Sequence, residues 1–490
     1  MTLDFSSNLD YFWALLPEAI LSLWAIGLLL LDVFQKGERA GPSSPALPWL
    51  SLAGLALAAV ANGWLLSVGE VGTAGMVVVD GFRIFANFIF LLSAGFATVV
   101  SIGYLDRMGL NRGEFHVLLL FATVGMMVMA GARDLMLIFL GLELMSISVY
   151  VLVGFNRSDP RAAEAALKYF LLGAFSTAFL LYGIALLFGA TGTTNLSLLA
   201  GLFTSGELSP LLLAGVGLTA VGFGFKVAAV PFHMWTPDAY DGAPTPVTGF
   251  MATGVKAAAF AAFIRVFAVA FGGAYEQWVV VIFWLAALTM IAANLIALTQ
   301  GSVKRMLAYS SIAHAGYLLV ALAAANSLGA AAFLFYLVVY TLMTIGAFTV
   351  ISAGDKDRIA LPDYAGMGWE KPLIAALFSV FLLSLAGFPL TAGFIGKLYI
   401  LQAALAAGLL PLAVILVVAS LISYFYYLRV VIVMYMRPVS PEGDYGGVRL
   451  PAPALAAVGT AGAAVLLLFF FPGPLLDAAR RSATTLFLAP

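Results

Sequence analysis

The chain of 490 residues is 63% hydrophobic and 10% charged, with 23 Lys and Arg against 24 Asp and Glu for a net charge of −1. Soluble globular chains carry roughly 45–50% apolar and about 25% charged residues, so this composition excludes a soluble enzyme, a secreted scaffold and a disordered chain. No basic excess is present to hold nucleic-acid phosphates; the lack of Cys and the three His exclude disulfides and iron–sulfur or thiolate-metal sites and leave little for haem, copper or zinc.

The first ten residues, MTLDFSSNLD, hold two acids and no Lys or Arg. A cleaved signal peptide needs a basic stretch before its apolar run, so residues 13–31, apolar apart from Glu18, are predicted to form a retained first helix. At about 20 residues per crossing, apolar runs predict fourteen spans: 11–33, 49–68, 80–104, 114–130, 134–155, 163–189, 209–230, 245–271, 277–299, 304–324, 329–352, 371–406, 409–436 and 452–472. The twelfth is too long for one simple crossing and contains Gly387-Phe388-Pro389. The fold class is an all-α polytopic membrane protein with about 14 transmembrane helices, whose backbone polar groups are satisfied within each helix.

Charge orients the spans. One set of alternate loops holds Lys36, Arg39, Arg107, Arg112, Arg157, Arg161, Lys304, Arg305, Lys356, Arg358, Lys371, Arg437 and Arg449; the opposite set, with both termini, holds Arg133, Arg480 and Arg481. Cytoplasmic loops carry the Lys/Arg excess, so both termini are predicted outside the cytoplasm. Arg83, Arg265 and Arg429 fall near span ends, where a long side chain snorkels to the interface.

The ionisable residues inside spans carry the chemistry, because a charge at membrane depth costs several kcal/mol unless paired or hydrated. Glu143 lies in LMLIFLGLELMSISVYVLVGF, about two turns from Asp134. It either fixes helix packing or faces a proton path. Lys168 follows Glu164 by four residues, the favourable order for a helix pair. That pair either anchors the helix at the cytoplasmic boundary or tunes Glu143 across the hairpin. His116, where the fourth span begins, is predicted to be interfacial.

Lys226 and Lys256 are each fifteen residues from Asp241 in the connecting turn; at 1.5 Å per residue regular helices bring both to similar depth. An ammonium in low dielectric releases its proton more readily, and a neighbouring ammonium adds to this, so such a pair suits proton loading and release; the alternative is that both stay charged on carboxylates or carbonyls. Pro231 and Pro237 interrupt the helix carrying Lys226 by removing backbone donors. Freed carbonyls in a membrane need a polar partner or water, which makes this break a candidate hydrated half-channel, with His233 inside it. Lys397 repeats the arrangement in SLAGFPLTAGFIGKLYI, where Gly387 and Pro389, with Gly393 and Gly396, loosen the span. Two interrupted helices in corresponding places suggest a repeated transporter unit. His314, in YSSIAHAGYLLV, is either a packing hydrogen bonder or a relay, its unperturbed pKa being about 6.5. No GxxxxGK[ST] loop or dinucleotide fingerprint occurs.

LMLIFLGLELMSISVYVLVG, KVAAVPFHMWTPDAYDGAPTPVTGFMATGVKAA, SVKRMLAYSSIAHAGY and LAGFPLTAGFIGKLY together resemble the antiporter-like subunits of respiratory complex I, a family that also includes cation/proton antiporter subunits. The resemblance covers residues 80–436, with several long motifs in the family's order. It is nearest the N type, through DAYDGAPTPVTGF after the broken helix, through lysine at position 397, and through a length too short for the lateral helix of L types. It implies proton-transfer roles for Glu143, Lys168, Lys226, Lys256, His314 and Lys397, with His314 the weakest match, and broken seventh and twelfth helices in two inverted five-helix repeats. The implied organisation is an N-terminal three-helix segment at 1–110, repeats at 111–271 and 272–436, and a loop with helix 14 at 437–490.

The same resemblance implies a bacterial cytoplasmic (inner) membrane and no cofactor in this chain, with NADH, FMN, iron–sulfur clusters and quinone handled by partner subunits. The implied neighbours are an M-type antiporter-like subunit and the small K, J and A types, within membrane lipid. The implied activity is proton translocation driven by quinone reduction elsewhere in an NADH:quinone oxidoreductase. Two rival readings share the residues: a subunit of a multi-subunit Na⁺/H⁺ antiporter, and a non-translocating structural subunit.

Overall fold

The computed structural model describes residues 1–36, 43–70, 75–205, 208–354, 359–439 and 448–488. Its principal helices are α1 (Leu16–Lys36), α2 (Leu47–Trp64), α3 (Gly81–Ser101), α4 (Gly113–Gly131), α5 (Leu135–Val153), α6 (Pro160–Thr191), α7 (Pro210–Lys226), α8 (Trp235–Gly242), α9 (Thr245–Ala270), α10 (Tyr275–Leu298), α11 (Val303–Ala324), α12 (Ser327–Ile351), α13 (Pro372–Ala386), α14 (Ala392–Ala406), α15 (Leu410–Met436), α16 (Ala452–Phe470) and α17 (Gly473–Leu488). Among the described residues, twelve helices are long and apolar enough to cross a membrane. The predicted seventh span, 209–230, holds α7 and the start of the break after it, with α8 lying beyond its end, and the twelfth divides into α13 and α14, so each of the fourteen predicted spans contains a helical segment. A short parallel pair, β1 (Thr2–Leu3) with β2 (Gly69–Glu70), ties the N-terminus to the α2–α3 connection.

Burial ranks the helices. The spans of α11 and α12 are each 94% buried and that of α9 89%, whereas α1, α6, α15 and α16 are 28–33% buried. The central three therefore hold their polar groups away from lipid, where each needs a partner inside the protein. Small residues bring backbones together, as membrane helix packing requires. A Cβ on Gly125 of α4 would lie 2.6 Å from the Gly141 carbonyl of α5, and one on Gly141 would lie 2.9 Å from the Gly125 carbonyl.

The two sets of alternate loops gather at two ends. At the basic end Arg107 donates to the Ser352 carbonyl at 2.8 Å, Lys304 to the Ala243 carbonyl at 2.8 Å, and the Arg449 amide to Ala353 at 2.8 Å. Of the basic residues assigned to this end, Arg39, Lys356, Arg358 and the Lys36 side chain lie outside the described residues. At the other end Arg83 and Arg265 are buried, which corrects the expectation that they snorkel. Arg83 pairs with Glu18 at 2.7 Å and also donates to the Val78 and Ala14 carbonyls. Arg265 grips Asp80 with two bonds of 2.8 and 3.0 Å. A carboxylate inside the protein satisfies each charge more directly than a reach to water. Arg429 is partly buried and donates to the Leu298 and Gln300 carbonyls. His116 is buried beneath the helix start rather than interfacial, with both ring nitrogens lacking a protein partner.

One element was not anticipated. Residues 437–490 were expected to hold a loop and one crossing, yet α17 follows α16. It is amphipathic: Leu476, Ala479, Ala483 and Leu486 are buried, while Asp477, Arg480 and Arg481 face out. Such a helix lies along an interface rather than crossing it. It packs on α12 and α3, and Thr485 Oγ1 accepts a 3.1 Å bond from the Phe82 amide.

Candidate functional site

Lys226 is the last residue of α7. Residues 227–234 interrupt the helix. Its freed groups are satisfied within the protein: the Phe225 carbonyl accepts from the Trp235 indole at 3.0 Å, and the Val230 amide donates to Thr289 Oγ1 at 2.8 Å. With these groups met, Lys226 turns to α5. Its Nζ donates to Ser146 Oγ at 2.8 Å and Tyr150 OH at 3.2 Å and lies 5.5 Å from the centre of the Tyr150 ring. Pro231 lies in the break and is exposed. Pro237 does not interrupt a helix; it sits in the first turn of α8, where a missing N–H costs nothing. His233 is half-buried, with Nδ1 enclosed and lacking a protein partner. Met234 beside it is 67% exposed, so the outer side of this break faces away from the bundle.

Glu143 lies on α5 three residues before Ser146 and seven before Tyr150, spacings that share a helix face. Its carboxylate accepts from Thr177 Oγ1 at 2.9 Å. It is half-buried, beside the exposed Leu140, Leu144 and Ile147. Glu143 therefore borders the bundle's flank, while Lys226 lies inside. Lys168 is at the basic end and 45% exposed; it bonds Glu164 at 2.7 Å and Asp238 at 2.9 Å. Asp238 also accepts from Arg305 at 2.9 Å, so one carboxylate on α8 joins α6 to α11. The structure does not bring Lys168 together with Glu143.

Lys256 follows a π-helical stretch, Met251–Val255, inside α9. Such stretches are frequent at functional sites. Its Nζ donates to both the carbonyl (2.7 Å) and the hydroxyl of Ser311 on α11. Lys226 and Lys256 are thus both buried but bonded to different helices. The buried Tyr240 and Tyr340 hydroxyls lie next to Ser311 without completing a hydrogen bond to it.

Three residues beyond Ser311 stands His314. Its Nδ1 is 2.5 Å from Tyr336 OH and its Nε2 3.3 Å from Tyr427 OH, and Tyr427 OH bonds Ser310. Tyr317 packs edge-on against the imidazole at 5.3 Å, and its ring lies 4.7 Å beneath Lys397 Nζ. One face of α11, Ser311, His314 and Tyr317, therefore leads from Lys256 to Lys397. The Tyr317, Tyr340, Thr341 and Thr344 hydroxyls around it are buried and lack a protein partner. Buried hydroxyls in that condition are sites for ordered water.

Lys397, on α14, donates to the carbonyls of Leu385 (3.0 Å) and Ala386 (2.8 Å), the last two residues of α13. Gly387 ends α13 with φ of +84°, which glycine adopts without a Cβ penalty, and its carbonyl accepts from Tyr424 OH at 2.8 Å. Pro389 lies in the non-helical link. The two breaks are not superposable in sequence: Lys226 precedes its break, and Lys397 follows its own.

Residues 132–423 match the NADH:quinone oxidoreductase/Mrp antiporter transmembrane family. The chain belongs to this family. Proteins named NADH-quinone oxidoreductase subunit N from Trichlorobacter lovleyi and Gemmatimonas aurantiaca are 49% and 47% identical to it; the alignments cover 92% and 96% of this chain and 93% of each relative. A chain from the respiratory complex I structure of Thermus thermophilus with bound aureothin is 39% identical with a TM-score of 0.80, over 95% of this chain and all of that one. A chain of the Mrp complex from Dietzia sp. DQ12-45-1b shares the fold at 21% identity, TM-score 0.83, over 97% of this chain and 98% of that one.

The stretch matched by this oxidoreductase/antiporter family contains Glu143, Lys168, Lys226, Lys256, His314 and Lys397. The sequence reading missed the hydroxyl partners: Ser146, Tyr150, Ser311, Tyr317, Tyr336 and Tyr427. One signal was available, because Ser311 and Tyr317 flank His314 at three-residue spacing.

Proposed function

We propose that this chain is the N-type, proton-translocating membrane subunit of an NADH:quinone oxidoreductase. The observation that carries the reading is the buried row of Lys256, Ser311, His314, Tyr317 and Lys397 across α9, α11 and α14. A lysine suits a carrier's role better than an arginine, because an ammonium can give up its proton whereas a guanidinium stays charged. Lys256 and Lys397 are held by a neutral hydroxyl and by carbonyls rather than by a carboxylate, so no ion pair pins their protons. Protons pass from the Glu143–Lys226 side to Lys256, along the hydroxyl and imidazole face of α11, and on to Lys397. Oxidation of NADH and reduction of quinone belong to partner subunits, and this chain contributes proton affinity and geometry.

The reading includes two inverted repeats, at 111–271 and 272–436, a bacterial inner membrane and both termini outside the cytoplasm. The implied neighbours are an M-type subunit on one flank and the small K, J and A types on the other. Purification through a tag on this chain tests the assembly: the NADH-oxidising module and an M-type subunit are expected to co-purify. Vesicles holding that complex are expected to acidify on NADH addition without sodium. Isolation with other antiporter subunits alone, and sodium-dependent proton flux, overturns it.

A further inference from the structure

Two apolar hollows run along one face of α3. The first, about 730 Å³, lies between α3, α12 and α17 and is floored by Ile84, Phe85, Phe88 and Leu92, with Val338 on α12. The second, about 450 Å³, continues from Phe88 and Leu92 between α2, α3 and α16. Both volumes are those of sites that enclose small apolar molecules, about 300–1,000 Å³. The first hollow follows α3 from Gly81 to Leu92, a rise of about 16 Å at 1.5 Å per residue. That is half of a hydrocarbon core roughly 30 Å thick, the depth of one leaflet. At its shallow end the lining turns polar, with Arg481, Ser482 and Thr485 of α17.

We propose that this hollow holds the acyl portion of one phospholipid, with Arg481 and Ser482 binding its phosphate. The depth fits a single-leaflet lipid, and the charge lies where a headgroup phosphate lies. An arginine fork suits phosphate oxygens in a way a hydroxyl alone does not. Its neighbour Arg480 has a carboxylate of its own, Asp477, at 3.8 Å. The lipid thereby fastens α17, which meets the rest of the chain through a narrow apolar stripe, to α3 and to the back of α12. The opposite side of α12 carries Tyr336 and Tyr340.

The test is phospholipid retention by the intact detergent-purified complex, measured by native mass spectrometry before and after addition of phosphatidylglycerol. Arg481→Glu and the groove-filling Val338→Trp are each expected to lose one tightly held phospholipid and to need at least tenfold more phosphatidylglycerol to regain it. Arg480→Glu is expected to retain it. Equal retention in all three complexes, or a density map showing a helix of a neighbouring subunit in the hollow, overturns the proposal. Subunit content of each variant complex, read from the same spectra, separates lipid loss from failed assembly.

Discussion

Lys397 Nζ lies 2.8 Å from the carbonyl oxygen of Ala386, so the lysine of α14 caps the helix segment that precedes its own break. A charged donor to a helix C-terminus gains from the carbonyl dipoles there. The same contact makes the lysine sensitive to the break's geometry.

Gly387→Ala is therefore expected to perturb Lys397 without removing it. An added Cβ would stand 2.9 Å from Lys397 Cδ, at a residue with φ of +84°. The left-handed conformation alone costs a residue with a Cβ about 1–2 kcal/mol. Reconstituted complex should show a lower thermal midpoint and impaired pumping. Unchanged values for both would show that the cap is slack.

Glu143→Gln is expected to leave the complex assembled and to reduce both quinone reductase activity and the proton gradient. The amide still accepts from Thr177, so packing survives, but the charge one turn from Ser146, which bonds Lys226, is gone. Wild-type pumping at equal subunit content would remove Glu143 from the coupling route.

Lys168→Ala is expected to be mild, retaining more than half of pumping. Its ion pairs are exposed enough to be worth roughly 0.2–1 kcal/mol each, and Arg305 still holds Asp238. Asp238→Ala should cost more stability, because it releases Lys168 and Arg305 together and removes the ion pairs that tie α8 to both α6 and α11. A Lys168→Ala variant that abolishes pumping would place this lysine on the proton route after all.

Tyr427→Phe should slow pumping while leaving assembly intact, since it deprives Ser310 and His314 of one shared hydroxyl. Tyr426, next to it, instead donates to Asn294 Oδ1 at 2.9 Å, and Tyr426→Phe should affect stability by about 1 kcal/mol more than pumping. Equal pumping defects in the two variants would argue against a route through His314.

The sequence exposed the parts that a membrane makes rare. Buried Lys and Glu stand out in apolar runs because their cost demands a reason, and Gly387, Pro389 and Pro231 marked both breaks. What bonds those lysines was not legible: Ser and Tyr are ordinary in such helices, and Ser146 and Ser311 become partners only when α5 meets α7 and α11 meets α9. Arg83 and Arg265 were misread for the same reason, their carboxylates lying 65 and 185 residues away. Helix α17 escaped notice because it is short and its apolar stripe is narrow.

The central claim is that Lys256 carries a proton rather than a fixed charge. Its most direct test is NADH-driven proton pumping by liposomes containing the complex with Lys256→Arg, beside Lys256→Met and wild type at matched subunit content. Both variants are predicted to assemble and to lose most pumping, by tenfold or more, the arginine no better than the methionine. Wild-type pumping by the arginine variant would contradict the account, because a permanent positive charge on Ser311 would then be all that the position requires.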